Sequence, residues 1–163
     1  MFRSGIPFTP LMNVTTPGSL FASSRPNLLP GRSNNPVHGV SAGCGGIPAG
    51  QKIGTPDQYF DPCVFSLPEP GTLGNLGRNT ILSPGVFSLD LSLQKEFRLT
   101  ARKRLQFRTE IFNLANRSNF NRVVTGAVTV FTGYPARVNA TSGIVQSTVT
   151  TARQIQFALR FSF

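Results

Sequence analysis

The feature that most constrains this chain is a strict alternation of apolar and polar residues over VFSLDLSLQKEFRL, residues 86–99. Successive side chains of a strand point to opposite faces, whereas a helix would distribute the same residues around its circumference. The pattern therefore predicts a strand with one polar face and one apolar face. Only Lys95 interrupts the apolar face, which consists of Phe87, Leu89, Leu91, Leu93, Phe97 and Leu99.

Two further segments alternate in the same way. Residues 105–114, LQFRTEIFNL, place Leu105 and Phe107 on one face, and residues 154–163, QIQFALRFSF, do so with Ile155, Phe157, Leu159, Phe161 and Phe163. Strands of globular proteins average about five or six residues, whereas strands of transmembrane barrels need about 9–11. The three segments therefore predict an all-β fold of antiparallel transmembrane barrel strands.

The segments between the predicted strands differ greatly in length and composition. Residues 1–85 contain twelve of the 13 prolines and thirteen of the 16 glycines, so we expect them to be mostly irregular. Residues 115–153 form a second long loop, whereas residues 100–104 form only a short turn. Outer-membrane barrels typically have short periplasmic turns and long extracellular loops. The sequence thus predicts a periplasmic turn at 100–104 and extracellular loops on either side of it.

Three or four strands cannot close a barrel, because bacterial single-chain barrels begin at about eight strands. An open edge in lipid would leave backbone groups unpaired at a cost of several kcal/mol each. We therefore expect these strands to belong to a larger barrel.

The net charge of +10 supports a different hypothesis, a small basic β-rich module that binds nucleic acid or another polyanion. Arg98, Arg102, Lys103 and Arg104 would be its phosphate-binding cluster. This cluster has no aromatic residues between its charges, and a soluble domain would need a second layer to cover the apolar face. The barrel interpretation is therefore favoured, and no nucleic-acid partner is expected.

The sequence contains few residues that could carry catalysis. Cys44 and Cys63 either form one disulfide, if the compartment is oxidising, or remain two free thiols. Together with His38 they provide no fourth metal ligand. We find no nucleophile–base set and no carboxylate pair, so we expect no metal site, no cofactor and no enzymatic activity.

A resemblance to TonB-dependent outer-membrane receptors is carried by GNLGRNTILSPGVFSLDLSLQKEFRLTARKRLQFRTEIFNLANRSNF (74–120) and ARQIQFALRFSF (152–163). The chain is most similar to the C-terminal end of the Oar-like branch, whose members have a carboxypeptidase-regulatory-like N-terminal domain and are abundant in Acidobacteria. RPNLLPG (25–31) and YFDPCVFSLPEPGTLGNLGRN (59–79) resemble the last large extracellular loop of that family.

The resemblance implies a plugged barrel of about 22 strands, to which this chain contributes the last three or four, and energy-coupled uptake of a large nutrient. It implies that the barrel-assembly machinery reads the final strand through Phe163, with Phe161, Leu159 and Phe157. The residues expected to face lipid or lipopolysaccharide are Phe87, Leu89, Leu91, Leu93, Leu105, Phe107 and Ile155.

The resemblance also places the whole protein in the cell outer membrane. The family's signal peptide, plug and TonB-contacting box have no counterpart in the sequence. We therefore expect a truncated product that is inactive alone, with Met1 as an internal methionine or a spurious start. Contact with TonB would pass through the missing plug and N-terminal barrel.

Overall fold

The computed structural model describes residues 1–14, 24–122 and 128–163. They form two compact units: a sheet unit of residues 1–4, 85–120 and 148–163, and a core unit of residues 5–84 and 121–147. Within the described ranges, none of the helices has the length and hydropathy needed to cross a membrane. The strands are β1 Phe2–Arg3, β2 Pro7–Phe8, β3 Leu11–Asn13, β4 Asn27–Leu28, β5 Phe65–Ser66, β6 Ile81–Leu82, β7 Val86–Phe87, β8 Leu91–Arg98, β9 Arg104–Phe112, β10 Thr129–Thr132, β11 Arg137–Val138 and β12 Gln154–Ser162.

The sheet unit contains the long strands, which form an antiparallel sheet in the order β12-β9-β8. The pairing is continuous from Gln154 opposite Phe112 to Ser162 opposite Arg104, and from Leu91 opposite Ile111 to Arg98 opposite Arg104. Two of the three predicted strands, 105–114 and 154–163, therefore lie where the alternation places them, with small differences at their ends.

The predicted strand 86–99 is interrupted in the structure. Residues 86–87 form β7, which pairs with β1, and the ladder with β9 starts only at Leu91. The interruption has a local cause at Asp90. Its carboxylate accepts hydrogen bonds from Ser88 Oγ at 3.1 Å and from the Asn113 backbone N–H at 2.9 Å. The Asp90 side chain thus accepts from the Asn113 N–H, a backbone donor that would otherwise be available for strand pairing. The alternation of residue types does not reveal this.

The core unit brings the Pro/Gly-rich residues together around a hydrophobic core. Short strands pair as β2–β6 and β4–β5, and β3 runs parallel to β10, which also pairs with β11. Phe60, Ile81 and Val130 are completely buried at its centre. The Phe8 and Phe65 rings pack edge-to-face on Phe60, with centroids 5.9 and 6.4 Å away. Residues 1–85 were expected to be mostly irregular, and in the structure they build most of this core.

Part of the predicted loop 115–153 belongs to the same core. The buried Gln58 amide donates to the carbonyls of Phe60 and Ser142, both at 2.8 Å, and the Tyr59 N–H donates to the Gly143 carbonyl at 2.7 Å. A Cβ on Gly143 would lie 2.5 Å from the Gln58 nitrogen, so only glycine allows this close approach. Residues 123–127 of the predicted loop lie outside the described residues.

Candidate membrane-facing sheet

The register of the long strands collects the apolar residues on one face. Going across the sheet, the rows on this face are Leu91–Ile111–Ile155, Leu93–Thr109–Phe157, Lys95–Phe107–Leu159 and Phe97–Leu105–Phe161. Most residues predicted to face lipid therefore share one surface, which we call the apolar face. Phe87 and Leu89 lie before the ladder, in β7 and in the interruption that follows it.

The apolar face is exposed. Leu93, Phe157 and Leu159 have 59%, 70% and 69% of their surface accessible, although they lie within regular strands. Burial of such a side chain away from water is worth about 1.5–3 kcal/mol, and soluble monomers rarely leave a contiguous patch of this kind uncovered. The face is thus suited to an apolar surrounding rather than to water.

Aromatic side chains on the apolar face contact each other across and along the strands. The Phe107 and Phe157 rings stack with centroids 6.1 Å apart, and Phe161 lies 5.8 Å from Phe163. Lys95 is the one charged residue in the rows of this face, and its Nζ lies 6.0 Å from the centroid of the Phe97 ring. Its aliphatic stem can therefore stay among apolar neighbours while the ammonium is displaced along the strand.

The opposite face is polar. Its rows are Ser92–Glu110–Gln156, Gln94–Arg108–Ala158, Glu96–Gln106–Arg160 and Arg98–Arg104–Ser162. Arg104 pairs with Glu96 across the two strands at 3.4 Å, and Arg108 pairs with Glu110 along one strand at 3.2 Å. All four side chains are accessible, so these pairs contribute little to stability in water. The contrast between the two faces is that of a barrel wall, with lipid outside and a polar lumen inside.

The length of the strands also fits a membrane. Nine residues rising about 3.3 Å each extend over about 30 Å, and a tilt of about 40° leaves about 23 Å across the bilayer. The apolar band of outer-membrane barrels is about 25 Å tall.

The turn between β8 and β9 is short, because the Leu99 and Thr100 N–H groups both donate to the Lys103 carbonyl. The basic cluster predicted as an alternative phosphate site lies at this turn and on the strand ends beside it.

Asparagines fix the other end of the sheet. Asn113 donates to the carbonyls of Arg117 and Thr151, and Asn116 accepts from the Arg153 N–H at 3.1 Å. Asn119 is buried and binds both backbone groups of Phe87. Asn113 and Asn116 have φ values of 50° and 48°, in the left-handed region that asparagine tolerates. A signal was present, since NLANRSN (113–119) repeats asparagine at every third position.

Both outer strands of the sheet have a free edge. Among the described residues, β8 and β12 are hydrogen-bonded in the sheet to β9 alone. In lipid, an unpaired backbone group costs several kcal/mol, so a spanning sheet must continue until it closes. In a membrane-spanning barrel, both of these edges would therefore have to pair with neighbouring strands.

The two remaining groups of predicted residues lie at separate places. Phe163 follows the end of β12 and is 93% exposed. Cys44 and Cys63 lie in the core unit, where a disulfide joins them across a Cα–Cα distance of 5.5 Å.

A family model described as an outer membrane beta barrel domain matches residues 1–156. The chain therefore belongs to this family of outer-membrane β-barrels, in agreement with the antiparallel sheet and its two unlike faces. Membership places the protein in the outer membrane. Neither a curated protein nor a solved structure matches the chain.

Proposed function

We propose that the chain supplies adjacent wall strands, β8, β9 and β12, of an Oar-like TonB-dependent transporter that takes up a large nutrient across the outer membrane. The observation that carries the proposal is the exposed apolar face, which extends over all three strands and is interrupted only at Lys95 and Thr109. Family membership supports the barrel. The transporter class rests on the resemblance of residues 74–120 and 152–163.

In this proposal the chain acts as part of a larger wall and catalyses no reaction. Its apolar face contacts membrane lipid and lipopolysaccharide, and its polar face lines the lumen. The two free edges pair with further strands, and β12 closes the barrel against the first one. The turn at 99–103 lies on the periplasmic side because short turns lie there. Energy coupling through TonB involves segments outside these strands.

A single tryptophan can report which face contacts lipid, since the chain has none of its own. Phe157→Trp places the probe on the apolar face, and Gln156→Trp is the matched control on the polar face of the same strand. We expect the fluorescence of the first variant, in vesicles containing brominated phosphatidylcholine, to be strongly quenched and shifted to the blue. The second variant should show little quenching.

Two outcomes of these experiments would contradict the proposal. Equal quenching of both variants would mean that the two faces do not have different surroundings. A chain that stays monodisperse in buffer and ignores vesicles would contradict a membrane role. Such a result would favour the basic binding module, and retention on a polyanion column would then distinguish it.

The proposal includes recognition of β12 by the barrel-assembly machinery, with Phe163 as the residue that is read. A peptide of residues 154–163 should inhibit assembly of a model barrel in vesicles that contain the machinery. The same peptide with Phe163→Ser should inhibit at least several-fold less, whereas Ser162→Ala serves as the control and should inhibit equally. Equal inhibition by all three peptides would remove Phe163 from this role.

A further inference from the structure

The core unit contains a cavity of about 380 Å³, in the range of small-molecule sites. Thr9, Leu11, Arg25, Leu73, Gly74 and Arg78 contribute to its lining. None of these residues belongs to the membrane-facing sheet, so the cavity is independent of the barrel wall described above.

The backbone around the cavity is held in place by several hydrogen bonds. Asn27 and Asn75 bind the opposite segments reciprocally, since the Leu28 N–H donates to Asn75 Oδ1 and the Asn75 N–H donates to Asn27 Oδ1, both at 2.8 Å. A Cβ on Gly74 would lie 1.9 Å from the Arg25 carbonyl oxygen, so the two segments can approach this closely only with glycine. The cavity is therefore largely pre-formed.

The charge in the cavity is positive and uncompensated. Arg25 uses Nη1 to donate to the Leu76 carbonyl, which orients its guanidinium and leaves its other N–H groups for a ligand. Among the described residues, neither Arg25 nor Arg78 forms an ion pair, and no acidic residue lines the cavity.

The rest of the lining consists of two leucines, Leu11 and Leu73, together with Thr9, Ser24 and Gly74. Guanidinium groups match the geometry of carboxylates and phosphates, and the leucines offer contact for an apolar body. We propose that this cavity binds a small organic anion that combines a carboxylate or phosphate head with an apolar group. This inference does not depend on the transport function, because it concerns a unit that contains none of the wall strands.

The test uses 4-fluorobenzoate, which has a carboxylate on an apolar ring, with the full chain refolded in a neutral detergent. Fluorine NMR should show saturable binding. Arg25→Gln and Arg78→Gln should each weaken binding at least tenfold, while Arg32→Gln, which changes an exposed arginine of the same unit that does not line the cavity, should leave it unchanged. Limited proteolysis verifies that each variant keeps its fold. Arg78→Gln is the decisive variant, since the Arg78 side chain is exposed and forms no ion pair with any residue that the structure describes.

Two further probes separate the contributions of head and body. Trifluoroacetate is an anion with almost no apolar body, and 4-fluorobenzyl alcohol is the uncharged counterpart of 4-fluorobenzoate. Both should bind at least tenfold more weakly than 4-fluorobenzoate. Tighter binding of 4-fluorophenyl phosphate than of 4-fluorobenzoate would assign a phosphate ligand, and the reverse a carboxylate. Three results would overturn the proposal: no saturable binding of either anion, equal binding of the alcohol, or unchanged binding in the Arg78→Gln variant.

Discussion

Asn119 takes the place of a strand beside Phe87. Its Nδ2 donates to the Phe87 carbonyl, and its Oδ1 accepts from the Phe87 N–H, both at 2.8 Å. One amide side chain thus satisfies both backbone groups that a neighbouring strand would satisfy in a ladder. The same Nδ2 also donates to Thr150 Oγ1 at 3.0 Å, so Asn119 connects β7 to the segment that leads into β12.

Replacing this amide should loosen the end of the sheet. Asn119→Ala leaves the Phe87 N–H and carbonyl without their partners, at about 1–3 kcal/mol for each group that stays out of water. We expect a loss of about 2–3 kcal/mol in the free energy of unfolding, measured with urea in detergent micelles, and faster hydrogen exchange at the Phe87 amide. Asn121→Ala is the control, with an expected change below about 0.5 kcal/mol. Unchanged exchange at Phe87 would contradict this role.

Much of the sheet could be predicted from sequence, because a strand with two different surroundings must alternate. Alternation alone predicts that Leu93, Phe107 and Phe157 each lie on the apolar side of their own strand. The register then brings these three residues onto one face of the sheet. The interruption at residues 88–90 could not be predicted, since the carboxylate of Asp90 replaces ladder contacts without disturbing the alternation. Side-chain to backbone bonds of this kind compete locally with strand pairing and have no period.

The strands and the hydrophobic core of the core unit could not be predicted from the periodicity of the sequence. Strands of two residues, such as Ile81–Leu82, are too short to display any alternation. Met12, Phe60 and Val130 meet in one core although long stretches of chain separate them. Proline and glycine predict irregular backbone, but irregular backbone can still bury a core when its polar groups find side-chain partners, as the Phe60 carbonyl does with Gln58.

The disulfide should stabilise the core unit. Cys44 and Cys63 are 19 positions apart, and closing a loop of this length lowers the entropy of the unfolded chain by an amount worth about 3 kcal/mol. Cys44→Ala/Cys63→Ala should therefore lose about 2–4 kcal/mol and be cleaved faster by protease within residues 24–84. The wild-type chain treated with a reductant in moderate urea should behave in the same way. A reductant that also accelerates cleavage of the double variant would indicate a cause other than the disulfide.

Stability of the core unit should decrease at high pH because of Tyr59. Desolvation by burial raises the pKa of this phenol above its usual value near 10, and its hydroxyl donates to the Leu82 carbonyl at 2.7 Å. The folded state therefore holds the proton more tightly than the unfolded state. The stabilisation is complete below pH 10 and is lost as the pH rises through the higher pKa of the folded state.

Urea unfolding of the core unit within the full chain, measured at several pH values from 8 to 12, tests this. Tyr59→Phe should unfold more easily at pH 8, because the hydrogen bond is lost, and should show a shallower decline above pH 10. Tyr134→Phe changes an exposed ring of the same unit and should keep the wild-type decline. A Tyr59→Phe variant with the full wild-type decline would assign the pH dependence to another group.

Lys95 is the residue of the apolar face whose replacement should improve membrane stability. It lies midway along β8, in one row with Phe107 and Leu159. A lysine on the lipid side of a barrel costs about 2–4 kcal/mol at the bilayer midplane and about 0–1 near the interface. Displacement of its ammonium toward Phe97 lowers this cost without removing it, so Lys95→Leu should stabilise the chain in vesicles by about 1–3 kcal/mol. Gln94→Leu, on the polar face of the same strand, should bring no such gain.

The effect of Lys95→Leu can be measured as urea unfolding from phosphatidylcholine vesicles, followed by the fluorescence of the Trp in the Phe157→Trp background. If Gln94→Leu stabilised the chain as much as Lys95→Leu, hydrophobicity alone would explain the gain, and the assignment of the apolar face to lipid would be wrong.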